Sequence, residues 1–323
     1  MKKKVIFYIP SIEGGGVEKN FYLLIKYLPK YIGKIHIITA DKQNNNSRNI
    51  NYVCPNSEYW SKRNRTLKNI ICFYLLIKNF WLSKAVIVSF QSNLTSIILS
   101  KILGFRVLIR LNTSLKKYFN NFLKRIIFKF FYSLSDIIIV NSKYFQKELN
   151  EINLKSYLIY NLNSYKKKKK NLNFFKNFKD LKILNIGRLT DQKDQLTLIK
   201  SLEILKKKNI NFRCSIIGRG SFKNILISEI KRLNLEKYIK LVGFKNYAEQ
   251  YISSSDIFVL TSKFEGLPNV LIEAQKYSIP IISSNCPTGP NEILMNGKLG
   301  DLFPVSNYSI LAKKLLNFSK NKK

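Results

Sequence analysis

Two doubly wound α/β domains in tandem are what this sequence predicts, on three observations. Short runs of apolar, β-branched residues alternate with amphipathic segments along the chain. Continuous apolar strands separated by helices indicate parallel sheets covered on both faces. The alternation halts at five consecutive lysines, Lys166–Lys170, and then restarts, and the length of 323 residues exceeds the usual size of one core. Sheets of this kind bind ligands at the carboxyl ends of their strands, so a cleft between the two domains is the expected ligand site.

The elements follow in order. KVIFYIP (4–10) reads as a strand, GGGVEKNFYLLIKYL (14–28) as a glycine turn entering a helix, and KIHIITA (34–40) as a second strand. AVIVSF (85–90), FRVLIR (105–110) and DIIIVN (136–141) are further strands, and YLIYN (157–161) closes a first domain expected over 1–164. The lysine run lies in the expected linker, 165–180, because like charges repel and cannot pack. In the second domain, 181–323, KILNIG (182–187), FRCSIIG (212–218), IKLVG (239–243), DIFVLTS (256–262) and IPIISS (279–284) read as strands. Between them TLIKSLEILKKKN (197–209), ILISEIKRLNL (225–235) and YAEQYISSS (247–255) read as helices.

Charge narrows the partners. Fifty-six Lys and Arg against 19 Asp and Glu give a formal net charge of +37. That field favours polyanions: nucleic acid, anionic lipid headgroups or nucleotide phosphates. Lysine-rich solvated surface is the other reading. A nucleic-acid-binding protein predicts a recognisable module with clustered cations and aromatics, and the sequence holds neither. Cys54, Cys72, Cys214 and Cys286 have no metal-ligand or redox spacing, which suits a reduced, cytosolic chain. No signal peptide is expected, since MKKKVIFYIP breaks at Pro10. The most apolar region, 67–90, is interrupted by Lys68, Lys78 and Lys84, well short of the ~18–20 residues of a membrane span. His36, the single histidine, sits inside a strand. Histidine triads and multi-His metal sites are thereby excluded.

The most informative segment is FEGLPNVLIEA, Phe264–Ala274, directly after the strand 256–262. Strand, polar loop and helix in that order aim backbone N–H groups and a helix N-terminus at a ligand above the strand, an anion site. Pro268 suits the first helical position. Glu265 and Glu273 lie about 80° apart on a helical wheel, so Glu265 is expected in the loop and Glu273 in the helix's second turn. In GRLTDQKD (187–194), Arg188 as a fork and Lys193 as a point charge could converge on a diphosphate. Glycines 14–16 form either a phosphate-facing turn or a tight structural one, and Gly218-Arg219-Gly220 is a weaker case of the same kind. Asp41 is the only acid following the second strand near the position of a ribose ligand. Residues 121–135 place Phe122, Ile126, Phe130 and Phe131 near one helical face, with Lys124, Arg125 and Lys129 elsewhere. Packing on the sheet and lying in a membrane interface both fit.

These motifs assemble in order into a resemblance to glycosyltransferase family 4 that spans nearly the whole chain. It rests on GGGVEKN, SFQSN (89–93), RLNTS (110–114), DIIIVNS, the IYN ending the first half, GRLTDQKD, IIGRG, LVGF, FEGLPNVLIEA and NCPTGPNEIL (285–294). The last is similar to bacterial enzymes that build lipid-linked glycans and surface polysaccharides, including N-acetylgalactosamine transferases. The resemblance implies the GT-B fold of two facing Rossmann-like domains. It also implies retaining transfer from a nucleotide-sugar, usually UDP-linked, with no metal or other cofactor. Arg188 and Lys193 match the residues that neutralise the diphosphate, Glu265 the one holding the donor sugar's hydroxyls and Glu273 the one holding the ribose. Gly266, Leu267, Asn269 and Val270 match the loop around sugar and phosphates. Gly15 and Gly16 match the first-domain turn that closes onto the donor, Gly218 belongs to the matched IIGRG segment, and 241–244 is similar to the segment near the base. The implied partners are a lipid-linked glycan acceptor and an anionic membrane surface at the cytoplasmic face, with no specific nucleic acid. Two departures stand out. Asn112 occupies the neighbourhood where many family members carry a histidine, and the chain stops at NFSKNKK where relatives usually continue. A truncated transferase that binds nucleotide-sugar without turnover is the alternative this raises.

Overall fold

Each apolar run read from the sequence forms a parallel strand in the computed structural model, which describes residues 4–12, 15–43, 46–112, 122–162, 180–245 and 249–321. The chain divides into two units, Met1–Asn163 and Ser164–Lys323. The linker expected over 165–180 lies outside the described residues except for Asp180.

The first unit runs β1 (Lys4–Tyr8), α1 (Gly16–Tyr27), α2 (Pro29–Ile32), β2 (Ile35–Ile38), β3 (Ile50–Val53), α3 (Arg65–Phe80), β4 (Ala85–Ser89), α4 (Asn93–Ile102), β5 (Arg106–Leu111), α5 (Phe122–Ser133), β6 (Ile137–Val140), α6 (Lys143–Asn150) and β7 (Tyr157–Leu158). Its all-parallel sheet has the order β3-β2-β1-β4-β5-β6-β7. Side chains alternate between two cores: Ile6 and Tyr8 of β1 pack on one face with Ile87 and Val107, Phe7 and Ile9 on the other with Phe21 and Ile37. That two-sided burial is why the strands read as unbroken apolar runs.

The second unit runs β8 (Leu181–Ile186), α7 (Gln195–Lys207), β9 (Phe212–Ile217), α8 (Lys223–Arg232), β10 (Ile239–Gly243), α9 (Glu249–Ile252), β11 (Ile257–Leu260), α10 (Asn269–Lys276), β12 (Ile281–Ser284), α11 (Pro290–Ile293), β13 (Asp301–Phe303) and α12 (Tyr308–Asn321). Its parallel sheet is ordered β10-β9-β8-β11-β12-β13. Ile257 and Val259 of β11 face one core, Phe258 and Leu260 the other. In both sheets the order reverses beside the first strand, between β1 and β4 and between β8 and β11. A sheet opens a crevice for ligands at such a switch point, beyond the strands' carboxyl ends.

Two strands, β3 and β13, carry no sequence signal: INYV alternates no apolar run and DLF is three residues long. Pro268 corrects an expectation. It precedes α10 in extended conformation, φ −72° and ψ 99°, and Asn269 is the first helical residue. The stretch before the helix passes close to Gly289, where an added Cβ would lie 2.1 Å from the Gly266 carbonyl oxygen. Gly289 also holds φ +81°, which glycine adopts without steric cost.

His36 is a sheet residue as expected. It is half-buried in β2, edge-on to Phe80 with ring centroids 5.1 Å apart, and its Nδ1 lies 3.2 Å from Asn51 Nδ2. Burial, then the Lys34 and Lys4 charges, lower its pKa. Cys72, Cys214 and Cys286 are buried and Cys54 is partly exposed. Desolvation pushes the buried thiols up, Cys286 to about 12, with the Glu265 carboxylate adding to it. Because the thiolate is the reactive form, alkylation of the native protein at neutral pH is expected to label Cys54 first. Labelling of the other three should require unfolding, as peptide mass mapping would show, and rapid native labelling of Cys286 would contradict its burial.

Candidate active site

The switch point of the second unit is where the sequence motifs meet. The loop after β8 carries Gly187–Asp194 and the loop after β11 carries Thr261–Pro268. Backbone and side-chain bonds hold the two together. Lys263 N–H donates to the Gln192 carbonyl (2.8 Å), Thr261 Oγ1 to the Lys193 carbonyl (2.9 Å) and Gln192 Nε2 to the Phe264 carbonyl (2.9 Å). The outcome is an ion pair between the Lys193 ammonium and the Glu265 carboxylate, whose side chains are 14% and 7% exposed. Ser262 Oγ donates to the same Glu265 oxygen at 2.6 Å, and Thr288 donates to the Glu265 backbone carbonyl. Ser284 of the next strand donates to the Ser262 carbonyl at 2.6 Å. Glu265 is thus fixed from both sides, by its own strand's loop and by the β12 loop.

Arg188 is exposed, with Nη2 donating to Gln192 Oε1 at 3.1 Å, and its carbonyl accepts from Gln195 Nε2 at 3.0 Å. It belongs to the same loop as Lys193 without touching the pair. Asp194, at φ +46°, caps α7: Thr197 Oγ1 donates to its Oδ2 at 2.7 Å and Ser306 Oγ at 2.8 Å. Gly266 and Leu267 follow Glu265, and Asn269 and Val270 open α10, with Glu273 buried in the helix's second turn. Glu265 is in the loop and Glu273 in the helix, as their spacing predicted. Gly218 sits beneath the loop. A Cβ there would lie 1.8 Å from the Gly187 carbonyl oxygen, and one at Gly220 would lie 2.1 Å from the Leu189 carbonyl oxygen. The glycine pair is therefore what lets the β9 loop pass under the β8 loop.

Gly15 and Gly16 lie in the first unit, at its own switch point. Gly15 precedes α1 and Gly16 opens it. A Cβ on Gly15 would stand 2.9 Å from Glu18 Oε2. The buried Glu18 accepts from Gln91 Nε2 of the β4 loop at 2.9 Å. Asp41 has a structural post: its Oδ2 accepts from Ile12 N–H at 2.6 Å and its Oδ1 from Lys68 Nζ at 2.7 Å, while Lys68 also reaches Ser11 Oγ at 2.9 Å. Lys68, read from sequence as an interruption of an apolar stretch, is 5% exposed and pins the β1 loop. Arg110 donates to Asn161 Oδ1 at 2.9 Å, and burial lowers its pKa to about 10. Asn112 Nδ2 donates to the Phe90 carbonyl at 3.1 Å; Thr113 and Ser114 of RLNTS fall outside the described residues. Ser262, Gln91 and Thr288 were not singled out in the sequence, although each lies in a quoted segment, DIFVLTS, SFQSN and NCPTGPNEIL, and Lys68 was read only as a break in an apolar run. Among the described residues, no three His, Cys, Asp or Glu side chains cluster as metal ligands.

Two parallel α/β units with a switch point in each, joined in one chain, are the GT-B fold. The UDP complex of HepE from Anabaena aligns over 99% of this chain and 91% of that one with TM-score 0.77, at 17% identity, a likeness of fold alone. Residues 164–323 match the family model of group 1 glycosyl transferases. Over 199 residues the chain is 35% identical to an uncharacterized glycosyltransferase, MJ1059, of Methanocaldococcus jannaschii, covering 57% of this chain and 48% of that protein. Over 129 residues it is 35% identical to the N-acetylgalactosamine-N,N'-diacetylbacillosaminyl-diphospho-undecaprenol 4-alpha-N-acetylgalactosaminyltransferase of Campylobacter jejuni, covering 40% and 34%. The match thus spans about half or less of these curated relatives.

Proposed function

We propose that this chain is a retaining glycosyltransferase that moves a sugar, best matched by an N-acetylhexosamine such as N-acetylgalactosamine, from a UDP-sugar to a lipid-linked or polysaccharide glycan at the cytoplasmic membrane face. The observation that carries the reading is the buried Lys193–Glu265 pair at the switch point of the second unit, directly before the N-terminus of α10. An ammonium, the N–H groups at a helix start and a nearby guanidinium suit a diphosphate. A carboxylate locked among them suits the hydroxyls of the sugar that diphosphate carries.

In the proposed reaction the bond from the anomeric carbon to the β-phosphate oxygen breaks, and the acceptor hydroxyl bonds to that carbon on the same face. The acceptor's proton passes to the departing phosphate oxygen, so no enzyme nucleophile is needed. Charge builds on the β-phosphate as UDP leaves. In this reading Lys193, Arg188 and the N-terminus of α10 at Asn269 and Val270 stabilise it, where a fixed donor is worth more than water. Glu265 positions the donor sugar and Glu273 the ribose. The match to the Campylobacter jejuni transferase supports the choice of sugar and of a lipid-borne acceptor.

Radiolabelled UDP-sugars incubated with membranes and the protein test the reading, and incorporation of label into a lipid-extractable glycan is expected. A parallel screen of UDP-sugars should raise the melting temperature, since a ligand that binds only the folded state stabilises it. Stabilisation without transfer or donor hydrolysis would instead identify a nucleotide-sugar-binding protein without turnover.

A further inference from the structure

Helix α5 turns an apolar stripe away from the protein. Leu123, Ile126, Ile127 and Phe130 are 64%, 49%, 52% and 59% exposed. The helix meets the sheet core through Phe128 and Tyr132, whose rings stack 3.6 Å apart. At about 100° per residue the exposed stripe and this packed edge point roughly 170° apart. Packing on the sheet, one of the two readings the sequence allowed, therefore accounts for Phe128 and Tyr132 and not for Ile126 or Phe130. Phe131 is half-buried.

The charges around the stripe say what it meets. Lys124 and Lys129 are exposed and lie on opposite sides of it, each roughly 110° from its centre. Arg125 is a third exposed cation, and residues 122–133 contain no acid. A second copy of this chain would set these cations against another strongly basic surface, since the chain holds 56 Lys and Arg to 19 Asp and Glu. An anionic bilayer satisfies both features at once. Acyl chains take the four apolar side chains, and lipid phosphates take the lysine heads, whose aliphatic stems reach outward from the stripe's edges. Among the described residues no helix is long and apolar enough to cross a membrane, so the contact is parallel to the surface.

We propose that α5 is a membrane-docking helix, with Leu123, Ile126, Ile127 and Phe130 entering the interface of an anionic bilayer and Lys124 and Lys129 on its headgroups. The proposal takes its purpose from the reading of a lipid-borne acceptor, but vesicle binding is measured without any sugar nucleotide, so the two ideas fail separately. Full-length protein is sedimented with vesicles of phosphatidylcholine alone or mixed with phosphatidylglycerol. Partition into the mixed vesicles is expected to be at least about tenfold stronger and to weaken with salt. The double variant Ile126→Ser/Phe130→Ser should lose about tenfold or more of that partition with its melting temperature unchanged, because both side chains are exposed. Lys124→Gln/Lys129→Gln should weaken binding to anionic vesicles and flatten its salt dependence. A control pair in the second unit, Lys237→Gln/Lys298→Gln, should bind as wild type. Equal loss in the control pair would assign binding to diffuse charge and overturn the proposal. So would wild-type partition of Ile126→Ser/Phe130→Ser, no preference for anionic vesicles, or a change of oligomeric state in that variant in place of a change in vesicle binding.

Discussion

Glu265→Gln is expected to lower sugar transfer by roughly 10²–10³-fold, the scale of losing one preorganised polar contact in an active site, while the protein stays folded. Gln keeps the size of Glu and can still accept the Ser262 hydroxyl, so the loop bonds that place it survive. What it removes is the charge opposite Lys193 and the strong acceptor offered to a sugar hydroxyl. Glu265→Ala is a harsher change. It leaves an ammonium 14% exposed with its carboxylate gone, and breaking a buried ion pair from one side costs about 3–5 kcal/mol. Lys193→Met combined with Glu265→Gln removes both charges together and should recover most of the stability lost by either alone, without recovering activity. Circular dichroism melts beside initial rates separate the two effects. Wild-type turnover in a folded Glu265→Gln protein would remove Glu265 from the site.

The second large effect is expected at a residue with no functional group. Gly218→Ala places a methyl 1.8 Å from the Gly187 carbonyl oxygen, and both partners are backbone, so no side-chain rotation relieves the clash. The β8 and β9 loops must part, and Gly187 is the first residue of the loop that carries Arg188 and Lys193. A loss of at least ~3 kcal/mol is expected, or a fall of roughly 6–12 °C in melting temperature for a unit of this size. Stabilisation by UDP should vanish with it. Gly243→Ala is the comparison: its Cβ meets nothing within 4 Å, and the cost comes only from φ +80°, about 1–2 kcal/mol. If Gly218→Ala melted within a few degrees of wild type, the close passage of the two loops would be wrong.

The strands were legible because a parallel sheet buried on both faces needs apolar residues without interruption, and residues 5–10, 85–88 and 257–260 supply them. Two of the four edge strands, β3 and β13, escape this logic. Asn51 and Tyr52 in β3 are half-buried, so nothing in their pattern separates them from a loop. Glu265, Glu273, Arg188 and Lys193 stood out because strand, polar loop and helix are adjacent in sequence. Ser262 and Thr288 did not, since a hydroxyl is an ordinary loop residue until its partner is known. The role of Lys68 stayed hidden for a related reason. Its partner Asp41 lies 27 residues away, and the contact that buries it depends on where α3 crosses the sheet.

By itself the sequence determined the two sheets, the position of the polar loops at their strand ends and the presence of an apolar stripe on α5, all of which follow from local periodicity and chain order. The tertiary structure alone decided that Lys193 meets Glu265, that Gly218 is a spacer for its neighbour's backbone, and that the α5 stripe faces outward. Each of these is a contact between segments remote in sequence, or the choice of which helix face is packed. Strand register and helix docking settle such choices, and neither is written in local pattern.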